Sequence, residues 1–103
     1  ARNAVDQARQ QLADALKVSP AQVIFTGSAT EACQLAIHSA VHDRGSRRKV
    51  VVAATEHAAI REWALRMVDQ NEIATVPVRP AGVVDHTEFV RTLGPDTFLA
   101  CAM

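Results

Sequence analysis

Two short stretches carry residues whose types and spacing suit chemistry. In Gly27-Ser28-Ala29-Thr30, small residues and two hydroxyls follow the strand-forming run Val23-Ile24-Phe25-Thr26 and open a helical pattern. The first N–H groups of a helix lack an internal partner and carry the positive end of its dipole. Small side chains let an anion approach those groups, and Ser28 and Thr30 add hydroxyl donors, so the stretch has the makings of a phosphate cup. Plain capping fits the same residues, because Ser28 and Glu31 have capping-box spacing. Neither the dinucleotide pattern G-x-G-x-x-G nor the nucleotide-triphosphate pattern G-x-x-x-x-G-K-[ST] is present. In Thr55-Glu56-His57, a histidine stands after an apolar run, where a helix begins. The dipole there disfavours the imidazolium, and a neutral imidazole can stack on a flat ring or accept a proton. An exposed first-turn histidine without a chemical role fits that position too.

Other polar groupings say less. His38 and His42 are four apart, a spacing that can grip a metal on one helix face. Ser39, Ala40 and Val41 stand between them, so the glutamate of H-E-x-x-H is missing, and a solvated face is the expectation. No metal site is expected. Asp43, Glu56, Asp85 and Glu88 form no acid pair that spacing reveals.

The elements that must position these residues alternate. Val5, Ala8, Leu12 and Leu16 predict an amphipathic helix from about Arg2 to Lys17. Ser19-Pro20-Ala21-Gln22 predicts one capped turn. A short strand over Val23 to Thr26 and a helix over Ala29 to Asp43 follow. That helix is apolar on most sides, which predicts burial between other elements. Lys49 to Ala54 reads as a parallel strand covered on both faces. Ile60, Trp63, Ala64, Met67 and Val68 mark a third helix, and Ile73 to Val78 a strand ended by Pro77 and Pro80. Asp85 and Glu88 box the start of a short helix through Leu93, and Thr97 to Ala102 is the last strand. The alternation predicts an α/β, three-layer sandwich with a mainly parallel sheet. Ligands bind at the carboxyl ends of strands in such sheets, and both stretches lie there.

Composition narrows the possibilities. A formal net charge of zero gives no general attraction to nucleic acid or anionic membrane. The one basic cluster, Arg44 with Arg47-Arg48-Lys49, reads as a solvated loop. No apolar run approaches the roughly 20 residues of a membrane span. Cys33 and Cys101 sit in apolar surroundings without a close partner in sequence, which predicts free thiols in a reducing compartment, the cytoplasm. The chain opens in helical rhythm without methionine and stops in strand pattern at Met103, so residues 1–103 are expected to be one partial domain, truncated at both ends.

Phe25-Thr26-Gly27-Ser28-Ala29-Thr30-Glu31-Ala32, then Leu35-Ala36-Ile37, then Thr55-Glu56-His57-Ala58-Ala59, resembles the cysteine desulfurase branch of the class V aminotransferases. Val83-Val84-Asp85 and Asp96-Thr97-Phe98-Leu99-Ala100 extend the likeness across the chain. The resemblance implies part of the large, pyridoxal-phosphate-binding domain of an aspartate-aminotransferase-like fold. It implies a homodimeric parent enzyme that acts on an amino-acid substrate. It places the cofactor phosphate on Ser28, Ala29 and Thr30, and makes His57 the residue that stacks on the pyridine ring and moves protons. Gly27 precedes Ser28, the reverse of the family's order, and Cys33 replaces a usually polar residue. The family's cofactor-bearing lysine has no counterpart here, since Lys17 and Lys49 are the only lysines. The alternative expectation is a non-catalytic, truncated α/β domain with weak phosphate binding or an association role.

Overall fold

The structure, a computed structural model, describes residues 2–56 and 58–103. The first helix, α1 (Arg2–Leu16), ends one residue earlier than its rhythm suggests, because Lys17 turns into the left-handed region at φ 58°. Val18 N–H donates to Ala13 O at 2.9 Å and Lys17 N–H to Asp14 O at 3.3 Å, which closes a Schellman cap. A single 3-10 turn at Pro20–Gln22 follows, with the full reciprocal capping box on Ser19.

The predicted strand over Val23 to Thr26 does not form. Its backbone is extended at Val23, but a strand exists only with a ladder partner, and none of the described residues pairs with it. Arg9 holds the segment instead: its Nε donates to Val23 O at 3.2 Å and its guanidinium lies 5.2 Å from the Phe25 ring centre. The remaining elements are α2 (Ala29–Asp43), β1 (Lys49–Ala53), α3 (Ala58–Met67), β2 (Ile73–Val76), α4 (His86–Thr92) and β3 (Thr97–Cys101). Strand β2 stops at Val76 because Pro77 has no N–H to give the ladder. The chain then makes a tight turn at Arg79–Gly82, with Gly82 at φ 76° where a side chain would be strained.

The sheet is wholly parallel in the order β2-β1-β3. Its central strand is buried from Val50 through Ala53, as an apolar run covered on both faces requires. The connection from β1 to β2 carries α3 and the return past β1 to β3 carries α4; the right-handed form that is the rule for parallel connections sets the two helices on opposite faces. Packing agrees: α3 lies against α2, and α4 against β1 and β2. The result is the predicted three-layer α/β arrangement. Val50, Val52 and Val68 form the core, joined by Val41, Met67, Ile73, Phe98 and Leu99.

Helix α2 departs from its expected all-round burial. Only Ile37 is buried, while Leu35 stays 42% exposed. Alanines supply much of its apolar character, and they need little cover. The radius of gyration is 15.9 Å, against about 13 Å for a compact chain of this length. Helix α1 packs chiefly on the 3-10 turn and leaves Val5, Leu12 and Leu16 partly in solvent.

Of the basic cluster, Arg44 pairs with Glu72 at 3.7 Å and lies over the Phe98 ring, while the other three reach carbonyls. Arg47 Nε donates to Arg44 O at 3.0 Å, Arg48 Nη1 to Gly45 O at 3.3 Å, and Lys49 Nζ to Thr92 O at the end of α4. These groups complement the negative ends of α2 and α4.

Candidate active site

Ser28 is the N-cap of α2, and its Oγ accepts the Glu31 N–H at 3.1 Å. Glu31 does not close the reciprocal bond to Ser28. Its carboxylate reaches one residue further back and accepts the Gly27 N–H at 2.9 Å. Gly27 makes room for this: a Cβ there would sit 3.1 Å from Glu31 Oε2. Thr26 Oγ1 donates to Ser28 O at 2.9 Å and ties the preceding turn to the cap. The loop is therefore fixed by three local hydrogen bonds before any ligand arrives.

Ala29 and Thr30 are the first helical residues of α2, and both are exposed. Their N–H groups precede the first intrahelical bond, from Ala32 N–H to Ser28 O at 3.1 Å, so they point out of the helix end unpaired. Ser28 keeps a hydroxyl hydrogen to donate, since its oxygen serves only as acceptor in the cap. Backbone donors, two hydroxyls and a helix dipole thus converge at one place, which suits an anion.

The parallel topology sets the second stretch at the carboxyl end of β1. There the Thr55 hydroxyl oxygen is buried and has no hydrogen-bond partner among the described residues. A buried polar group without a partner is uncommon and marks a place where a polar ligand or water is awaited. His57 lies outside the described residues. The same edge holds Cys101, the last residue of β3. Burial pushes its thiol pKa up, and the charges of Glu56 and Cys33 add to the effect. The early turns of α2, the segment after β1 and the end of β3 therefore border one region. Lys49 stands at the opposite, amino edge.

One feature lay beyond the sequence reading. A groove of about 320 Å³ runs between α2 and α3, lined by Glu31, Gln34, Leu35, His38, Trp63 and Met67. The spacing of Glu31, Gln34 and His38 along α2 was its available signal, a polar line at three and four residues. His42 does not line it, and no group of three potential metal ligands occurs among the described residues. Asp85 is the N-cap of α4, as its spacing from Glu88 predicts. Its carboxylate accepts the Glu88 N–H at 3.1 Å, which holds its pKa below the usual carboxylate range, and Arg79 Nε at 3.7 Å from Oδ2 adds to this.

A wholly parallel sheet flanked by helices defines the chain as part of an α/β domain, with the start of α2 suited to an anion. The sequence matches the aminotransferase class-V family model over residues 1–103, and the chain belongs to that family. It is 30% identical to the mitochondrial cysteine desulfurase of Arabidopsis thaliana across the whole chain, which corresponds to 23% of that protein. It is 33% identical to cysteine desulfurase IscS of Psychromonas ingrahamii, again across the whole chain and 26% of the relative. The chain thus spans about a quarter of the length of these curated relatives. A solved NifS-like protein superposes with a TM-score of 0.77 at 29% identity, over 92% of this chain and 27% of that one.

Proposed function

We propose that this chain is the phosphate-anchoring part of the cofactor domain of a pyridoxal-phosphate enzyme, of the cysteine desulfurase type, acting on an amino acid. The observation that carries the reading is the start of α2: Ser28, Ala29 and Thr30 present donors at the carboxyl edge of the sheet, with the loop already held by Glu31 and Thr26. The residues fit the cofactor's phosphate. The Ala29 and Thr30 N–H groups would bind it, the Thr30 and Ser28 hydroxyls would add donors, and the orphaned Thr55 hydroxyl offers a further polar contact at the same edge. When bound, the cofactor supplies an electron sink for bonds at the substrate's α-carbon. His57, next to Thr55 and Glu56 in sequence, is the residue we assign to stacking on the ring and to moving a proton. Lys49 is spent at the amino edge on Thr92 O, so the reading requires the cofactor-bearing lysine to come from another part of the parent protein.

The apolar stripe of α1 supports a parent that is homodimeric or otherwise covers Val5, Leu12 and Leu16. Two unlinked thiols suit a reducing compartment, and the cytoplasm is the proposed location. No described helix is long and apolar enough to cross a membrane.

Titrating the full-length protein with pyridoxal phosphate, followed by absorbance, tests this reading. Thr30→Val should weaken cofactor binding by roughly 10-fold or more, as loss of a hydrogen bond to a charged group implies. His57→Ala should lower turnover roughly 10²–10⁴-fold, the usual range for a lost acid–base group. Unchanged cofactor affinity in Thr30→Val would remove the start of α2 from the site.

A further inference from the structure

Cysteines 33 and 101 are 68 positions apart in sequence, yet the fold turns them toward the same layer. In β3, Leu99 is level with Val50 and Cys101 with Val52. Residues level with one another in a parallel ladder share a face, so Cys101 lies on the face of the sheet that carries Val50 and Val52. Helix α2 covers that face. Its Val41 packs against the Val50–Val52–Val68 cluster, its Ile37 is buried, and α2 lies against β3. Cys33, Ile37 and Val41 recur every four residues and form one stripe of the helix. The C-terminal end of α2 lies at the amino edge of the sheet, where Arg44 sits over Phe98 and pairs with Glu72, so moving from Val41 to Cys33 leads toward the carboxyl edge, where Cys101 ends β3. Both thiols are half-buried and unlinked.

We propose that Cys33 and Cys101 are a redox-responsive dithiol pair, which peroxide closes into a disulfide tying the first turns of α2 to the end of β3. The step balances. Peroxide oxidises the Cys33 thiolate to a sulfenic acid and leaves as hydroxide. The Cys101 sulfur then attacks the Cys33 sulfur, the S–S bond forms, and the sulfenic oxygen leaves as water. Two thiols lose two electrons and two protons, and one peroxide becomes two waters. Burial keeps the Cys101 thiol protonated, which suits it to the second, resolving role rather than to first attack. A dithiol reductant reverses the link. The inference does not depend on the cofactor assignment, since it uses only the sheet register and the α2 stripe.

The test is hydrogen peroxide added to the full-length protein under native conditions, followed by alkylation and peptide mapping without reduction. The expected result is a Cys33 peptide joined to a Cys101 peptide, about 2 Da lighter than the two alone. Both thiols should escape alkylation together and return together with dithiothreitol. In Cys101→Ser, Cys33 should stop at the sulfenic acid, trapped by dimedone. Two outcomes would overturn the proposal: both cysteines still alkylated after peroxide, or both over-oxidised separately with no joined peptide. The mapping of the unmodified sequence decides this even if the serine variant folds poorly.

Discussion

Replacing Ser28 separates the two roles its position allows. Its Oγ caps α2 by accepting the Glu31 N–H at 3.1 Å, and its hydroxyl hydrogen remains for an anion. Ser28→Ala removes both. The lost cap should cost about 1 kcal/mol of stability, roughly a five-fold change in the folding equilibrium. The lost donor to a charged phosphate should cost about 1.5–3 kcal/mol of binding, or roughly 10- to 150-fold in affinity. Ser28→Asp restores the cap acceptor and adds a negative charge at the positive end of the helix, worth about 0.3–1 kcal/mol. It also sets a carboxylate against the phosphate. The two properties should therefore rank differently. Stability should run Asp at least equal to Ser, then Ala, whereas pyridoxal phosphate affinity should run Ser, then Ala, then Asp. Urea unfolding and cofactor titration of the full-length variants measure the two rankings. If Ser28→Asp binds the cofactor as tightly as the parent, no phosphate lies at this helix start, and Ser28 is a cap only.

Two other substitutions probe the frame. Lys17 sits at φ 58° in the αL position of the α1 cap, so Lys17→Gly should stabilise the protein by about 0.5–1 kcal/mol, read as a higher unfolding temperature; a lower one would refute the Schellman assignment. Asp85 has a pKa lowered first by the Glu88 N–H and then by Arg79. Its contribution is therefore present above the unfolded value of about 3.9 and lost as pH falls through the lower folded value. Protection of the Glu88 amide, its exchange compared with the unstructured rate at the same pH, should decline as pH falls below about 3.9, and Asp85→Asn should weaken that pH dependence; an identical profile in Asp85→Asn would exclude the cap as its source.

The parts of the fold that showed in the sequence are those set by local chemistry. Pro20, Ser19 and Gln22 fix a turn by themselves, and the run Val50-Val51-Val52-Ala53 admits no exposed strand. What stayed hidden depends on partners. Val23 to Thr26 has the composition of a strand, but composition does not supply the neighbour whose ladder would make it one. The alanines of α2 count as apolar yet bury little area, so its periodicity overstated its cover. The capping box at Ser28 was legible, whereas the reach of Glu31 back to Gly27 was not, because it depends on the angle at which the chain enters the helix. The nearness of Cys33 to the end of β3 follows from the strand order β2-β1-β3, which no single stretch encodes.

The distribution of charge gives the site its character. The cationic side chains between α2 and β1 are engaged with carbonyls at helix C-termini, through Arg47, Arg48 and Lys49. At the other end of α2 the nearest charged group described in the loop is the carboxylate of Glu31, which repels an anion rather than attracting it. Attraction for a phosphate there must come from backbone N–H groups, hydroxyls and the helix dipole. Such donors act only at short range and in a fixed direction. On the proposed reading, phosphate binding at this edge rests on the geometry of Gly27 to Thr30 more than on side-chain charge. That explains why a glycine, a cap and a clamped carboxylate occupy the loop where a lysine or arginine might have been expected.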